Sequence, residues 1–151
     1  MKNETGMNQH QIKSVKILTI SLSILMLLAS LTQNTYYLGD HEESVGSFGL
    51  IAFLLGWMGV FGAGISWLAN PFLILSWGLL IFGKLKKSLI SSVLALLFSL
   101  SFMLFSDIIA NEGGGHKDIT AYDIGYYLWV SSCGINFLGN LILNLNYKNS
   151  H

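Results

Sequence analysis

The sequence predicts an all-α integral membrane protein: a compact bundle of four transmembrane helices with an additional re-entrant or interfacial helix. Three observations lead there. Residues 44–83 form a run of forty without a charged side chain or a histidine. Three other long apolar segments accompany it, and each bilayer crossing needs about 20 helical residues. Only 11% of the chain is charged and 52% is hydrophobic, with a mean hydropathy of +0.58, whereas ordinary soluble domains carry about 25% charge. Lipid is therefore the expected solvent for most of the chain.

The first apolar run, residues 17–31, follows Lys13 and Lys16. Secretory signals also begin this way, but Ala29-Ser30-Leu31 is a poor small-x-small cleavage pattern, so the run reads as an uncleaved span. The 44–83 stretch is too long for one crossing: forty helical residues extend roughly 60 Å, about twice the hydrocarbon thickness. Part of it must turn back or lie along the surface. Gly59, Gly62 and Gly64 loosen its middle, and Asn70-Pro71 offers a helix cap followed by a favoured first residue. Residues 48–61 are thus expected to form the re-entrant or outer-leaflet helix and 65–82 the crossing, with the turn near Gly62 and Gly64 covered by protein. The alternative divides the stretch into two short spans, giving five transmembrane helices. Residues 88–109 form the clearest span and 122–145 a wetter one.

Lysine placement favours four spans. Lys2, Lys13 and Lys16 precede the first, Lys84, Lys86 and Lys87 precede the 88–109 segment, and Lys148 follows the last. Lysine in short loops marks the cytoplasmic side. Putting all seven on that side requires an even number of crossings between Lys16 and Lys84, so residues 44–83 cross once. The chain then divides into a cytoplasmic tail (1–16), one transmembrane helical domain (17–145) and a second cytoplasmic tail (146–151). A bacterial cell inner membrane fits this compact, lysine-biased arrangement. The outer loops contain Asp40-His41-Glu42-Glu43 and the segment from Glu112 to Asp118, where Lys117 is the sole outward lysine.

Polar side chains on these spans are few and patterned. Ser132, Asn136, Asn140 and Asn144 recur every four residues and share one helix face. Facing lipid would leave their amides unpaired, so they are expected to point inward, either hydrogen-bonding between helices or lining a path for a solute, an ion or water. Ser88, Ser92, Ala95, Ser99 and Ser106 form a small-residue seam on the preceding span, the expected mate of the asparagines, and Ser23 and Ser30 give the first span a sparser version. Trp57, Trp67 and Trp77 recur every ten residues, which is not an integral number of turns and defines no common face. Tyr36, Tyr37, Tyr122, Tyr126 and Tyr127 gather at the outer boundary, where amphipathic rings anchor membrane proteins. Cys133, the only cysteine, lies in an apolar segment and reads as a buried small hydrophobe.

The outer acids are the remaining candidates for chemistry. Asp107 falls near the end of the serine-rich span, where an ionisable residue suggests proton or cation coupling. His41, Glu112, His116 and Asp118 are weak candidates for a divalent metal if the two loops meet. There is no His-Glu-x-x-His sequence, cysteine cluster or calcium loop, and Glu112-Gly113-Gly114-Gly115-His116 lacks the length and Lys-Ser/Thr ending of a phosphate-binding loop. No cofactor is predicted beyond that metal alternative. With net charge zero and no arginine, nucleic acid is not an expected partner.

These features point to a membrane protein acting by association, as an accessory, immunity-like or regulatory subunit. Its expected partners are membrane lipid and either a second copy or another membrane protein. The alternatives are an oligomeric small-solute or ion channel or transporter and, third, a metal-dependent membrane enzyme at the outer interface built on His116, Asp107 and Asp118.

Overall fold

Helix α1 (Gln9–Leu31) begins at a capping box in which Asn8 Oδ1 accepts from the Gln11 backbone N–H at 2.8 Å and Gln11 Oε1 accepts from the Asn8 N–H at 2.9 Å. The computed structural model describes residues 7–39, 44–109 and 115–148. Helices account for 76% of it. Four segments are long and apolar enough to cross a membrane: Gln9–Leu31, Ala63–Ile81, Leu85–Leu104 and Ile124–Asn146. The shorter apolar segment Gly49–Gly59 accompanies them, dividing residues 44–83 into one short and one long element.

That short element comprises α2 (Gly49–Leu55) and a 3-10 turn, Gly56–Gly59. Gly49 packs so closely on the end of α1 that a Cβ there would overlap the Ser30 carbonyl. At its far end Gly59 lies against Gly64, at the start of the next long segment, and Trp67 Nε1 donates to the Phe53 carbonyl at 2.6 Å. The element thus connects the C-terminal end of α1 to the N-terminal end of the next long helix without travelling to the other end of the bundle.

The next long segment opens in 3-10 form (Ala63–Leu68) and continues as α3 (Ala69–Ile81). Asn70 does not cap it, contrary to the sequence expectation. Asn70 is the second residue of α3, and its buried Oδ1 accepts from Trp129 Nε1 at 2.8 Å; the 3-10 turn carries the chain into the helix without a side-chain cap. Gly83 ends α3 with φ +73°, donating to the Leu80 carbonyl at 3.1 Å while Lys84 N–H reaches the Leu79 carbonyl at 2.9 Å. This paired closure needs a left-handed residue, which glycine adopts without a Cβ penalty. It turns the chain tightly into α4 (Leu85–Ser101), extended by a 3-10 turn, Phe102–Leu104.

Helix α5 (Ile124–Lys148) runs antiparallel to α1. Ser30 Oγ donates to the Gly125 carbonyl at 2.7 Å, Ser23 and Ser132 meet, and Gly139 lies against Thr19. Gly125, Ser132 and Gly139 are seven residues apart, the repeat that keeps one seam facing a neighbour at a shallow crossing angle. Small residues here let the two backbones approach closely.

A three-stranded antiparallel sheet, absent from the sequence expectation, covers the end of the bundle away from Gly83. Its order is β1 (Tyr36–Leu38), β3 (His116–Tyr122), β2 (Asp107–Ile109), with Tyr36 opposite Tyr122 and Asp107 opposite Asp118. β-branched and aromatic residues dominate these strands. Phe102 anchors the sheet to the helices, with its ring 5.5 Å from Tyr36, 5.8 Å from Tyr122 and 5.6 Å from Tyr126. The boundary tyrosines Tyr36, Tyr122 and Tyr126 thus build a packed cluster, and Tyr126 Oη donates to the Ser99 carbonyl at 3.0 Å.

Burial raises the Tyr36 phenol from 10.0 to about 12. Unfolding returns it to its ordinary value, so this contribution to stability is complete below pH 10 and disappears as the pH rises to about 12. In an alkaline absorbance titration, Tyr36→Phe is expected to remove a late ionisation step near 12; an unchanged late step would show Tyr36 to be solvated.

The interior is polar to a degree unusual for a water-soluble fold. Among the described residues, fifteen buried polar residues outnumber twelve buried hydrophobic ones. On α1 the buried residues are Thr19, Ser23, Leu27 and Ser30, while Ile17, Leu18, Leu25 and Leu28 are exposed.

Candidate functional site, a polar seam closed between helices

Two serine clasps organise the bundle interior. Between α3 and α4, Ser88 Oγ donates to the Ser76 carbonyl at 2.8 Å, and Ser76 Oγ lies 3.1 Å from both the Ser88 carbonyl and Oγ. Between α1 and α5, Ser132 Oγ donates to the Ser23 carbonyl at 2.7 Å and Ser23 Oγ to the Ser132 carbonyl at 2.9 Å. Each clasp brings two backbones together through residues too small to hold them apart. Trp77 Nε1 donates to Ser23 Oγ at 3.1 Å, so α3 also joins the α1–α5 clasp.

The asparagine stripe enters this framework from α5. Asn136 Nδ2 donates to Ser76 Oγ at 2.9 Å. Asn140 Nδ2 reaches the Asn136 carbonyl at 2.8 Å, Asn136 Oδ1 at 3.1 Å and Ser76 Oγ at 3.4 Å. Asn144 Nδ2 reaches the Asn140 carbonyl at 2.9 Å and the Leu85 carbonyl on α4 at 3.1 Å. Ser132, Asn136 and Asn140 are fully buried and Asn144 is half-buried. Asn140 Oδ1 is also buried, with no hydrogen-bond partner among the described residues.

Proton accounting places Ser76 at the centre. Its one hydroxyl proton is directed to Ser88, leaving its oxygen to accept from Asn136. The sequence singled out the asparagines and Ser88 but not Ser76. The available signal was a lone hydroxyl within the otherwise apolar run from Phe72 to Phe82. The expected mating of the asparagines with the α4 seam is realised at one end only, through Asn144 and Leu85; their main partner is α3. Ser92 and Ser99 instead donate to carbonyls of their own helix, at Leu89 and Leu96. Ser106 lies beyond the helix and is exposed.

Serines, asparagines and a tryptophan supply hydrogen bonds but no acid or base that titrates near neutrality. The seam's hydrogen bonds run between α3, α4 and α5 and along α5 itself.

A second candidate lies at the sheet end. Asp107, expected near an intramembrane edge, sits in β2 beyond Leu104, half-exposed, with Oδ1 2.9 Å from His116 Nδ1. The described strands that flank the two acidic loops do meet, since β1 and β2 both pair with β3. His116 is paired with Asp107 rather than with Asp118, which is exposed and faces Asp107 across the strands. His41 and Glu112 lie outside the described residues. Among the described residues, no three side chains of metal-binding type converge.

The chain matches no known family, no curated protein and no solved structure.

Proposed function

We propose that this chain is a multi-pass membrane protein that acts by association, as an accessory, immunity-like or regulatory subunit, in a bacterial cell inner membrane with both termini cytoplasmic. The observation that carries the reading is the closed seam. Its amides and hydroxyls are directed at neighbouring helices or back onto their own, while the outward faces of those helices present Leu25, Ile74, Ile90, Leu97, Leu138 and Ile142. A solute path through one chain needs polar groups turned toward water, and here they are turned toward each other. The faces left over are apolar and suited to lipid or to another transmembrane helix, whether from a second copy or a different protein.

Charge sorting supports the orientation. Lys16 Nζ lies beside Gly83, which places Lys13, Lys16, Lys84, Lys86 and Lys87 at one end, while Lys117 belongs to the sheet at the other. Lysine concentrates on the cytoplasmic side.

Photo-cross-linking in intact membranes tests association directly. Probes replacing Leu97 and Ile142 are expected to give discrete protein adducts, either to a second copy or to one partner. Adducts to lipid alone would overturn the reading. Solute flux through reconstituted vesicles that falls on Asn140→Leu would replace it with the channel or transporter.

A further inference from the structure

Lys84, Lys86 and Lys87, with Gly83 and Leu85, line an open groove of about 470 Å³. Lys16 reaches it from α1, with Nζ 4.0 Å from the position a Gly83 Cβ would occupy. The described carboxylates, Asp107, Asp118 and Asp123, all belong to the sheet end. Among the described residues these four lysines therefore gather around the Gly83 turn, at the end of the bundle away from the described carboxylates.

Local helix energetics favour an anion here. The N-terminus of α4 has no acidic residue in its first turn and no side-chain cap, and Lys86 and Lys87 occupy that turn. Cations at the positive end of a helix are unfavourable. A negative group in the groove would relieve both this and the repulsion between the lysines. Beside it, Ile81 and Phe82 are 66% and 79% exposed, giving the basic groove an apolar margin. A soluble anion has no use for that margin; acyl chains do.

We propose that this groove binds the phosphate headgroup of an anionic phospholipid, held by Lys16, Lys84, Lys86 and Lys87, with its acyl chains along Ile81 and Phe82. This rests on the membrane reading above. Basic pockets where helices meet the cytoplasmic leaflet recognise headgroups through the same combination of lysine charge and adjoining hydrocarbon. The Lys16 side chain reaches the Gly83 turn from α1, so the fold adds one lysine to the run 83–87 that lines the groove.

The test uses the full chain purified in a neutral detergent, where membrane orientation no longer matters. Native mass spectrometry would compare phosphatidylglycerol, phosphatidylcholine and soluble glycerol 3-phosphate. Phosphatidylglycerol is expected to bind at least about tenfold more tightly than phosphatidylcholine, as several lysines around one anionic headgroup allow. Lys84→Gln/Lys86→Gln/Lys87→Gln should abolish that preference, Lys16→Gln alone should reduce it, and Lys117→Gln should leave it unchanged. If the triple variant fails to fold, Lys16→Gln decides. Equal binding of the two lipids, or a preference surviving these substitutions, would overturn the proposal, and competition by glycerol 3-phosphate at equal concentration would reassign the groove to a soluble phosphate. Carbonate extraction of cell membranes separates the two readings, because release of the chain defeats the membrane assignment while retention with equal lipid binding defeats only the lipid site.

Discussion

Replacing Gly139 with valine is expected to part α1 from α5 and to cost about 3 kcal/mol. A Cβ at position 139 would fall on the Thr19 hydroxyl and methyl and lie 2.7 Å from Thr19 Cβ. Thr19 cannot simply rotate away, because its branch point is itself in the contact and a β-branched residue in a helix has few rotamers. The wedge would act on the same interface as the Ser23–Ser132 clasp, seven residues away along α5. Midpoints of heat- or detergent-induced unfolding, followed by helix loss, give the measurement. Gly139→Ala should show a smaller version of the effect, and Thr19→Gly should partly restore it although glycine in α1 alone costs about 1 kcal/mol. A wild-type midpoint for Gly139→Val would show that the helices do not meet there.

That close contact also shows what sequence reading found and what it missed. The i, i+4 asparagine stripe stood out because amides are conspicuous in an apolar segment, and its inward direction followed from their cost in lipid. The heptad of Gly125, Ser132 and Gly139 was equally present. Small residues are common, however, and announce nothing until a partner is known. Ser76 is inconspicuous for a related reason, since one hydroxyl in an apolar helix forms no pattern.

The division of residues 44–83 was legible from length and charge together. Forty residues are too many for one crossing, and the lysines at positions 84, 86 and 87 favour an odd number, so one short and one long element follow. The sheet was not legible. Its strands β1 and β2 have three residues each, too short for an alternating pattern to emerge, and β1 pairs with residues far along the chain, Tyr36 with Tyr122 and Leu38 with Ile119. Register of that kind is set by the helices that bring the strands together. Asn70 failed as a cap for the same reason: the choice between capping its own helix and bonding Trp129 is decided by α5, which local sequence does not contain.

The asparagine pair offers the second large effect, and its sign pattern is diagnostic. Asn140→Leu removes the donor that satisfies Asn136 Oδ1, leaving a buried acceptor unpaired at a cost of about 1–3 kcal/mol. It also removes the Asn140 Oδ1 atom that has no partner in the described structure, which offsets part of the loss. Asn136→Leu removes an acceptor from Asn140 and the donor to Ser76, but Asn140 Nδ2 retains the backbone carbonyl of residue 136. Interhelical bonds in membrane proteins contribute about 0.6 kcal/mol on average, so this variant is expected to lose about 1–2 kcal/mol. In the double variant neither leucine strands the other residue's amide. Its loss should therefore fall short of the sum of the single losses by about 1 kcal/mol, as buried partners in one network do. Unfolding midpoints of the four proteins measure that coupling, while flux through vesicles containing each should stay at background. Additive losses would mean that the two amides do not pair. Flux that appears in the wild type and changes with residue 140 would mean that the seam opens to water, because side chains that serve only to hold helices together have no solute to pass.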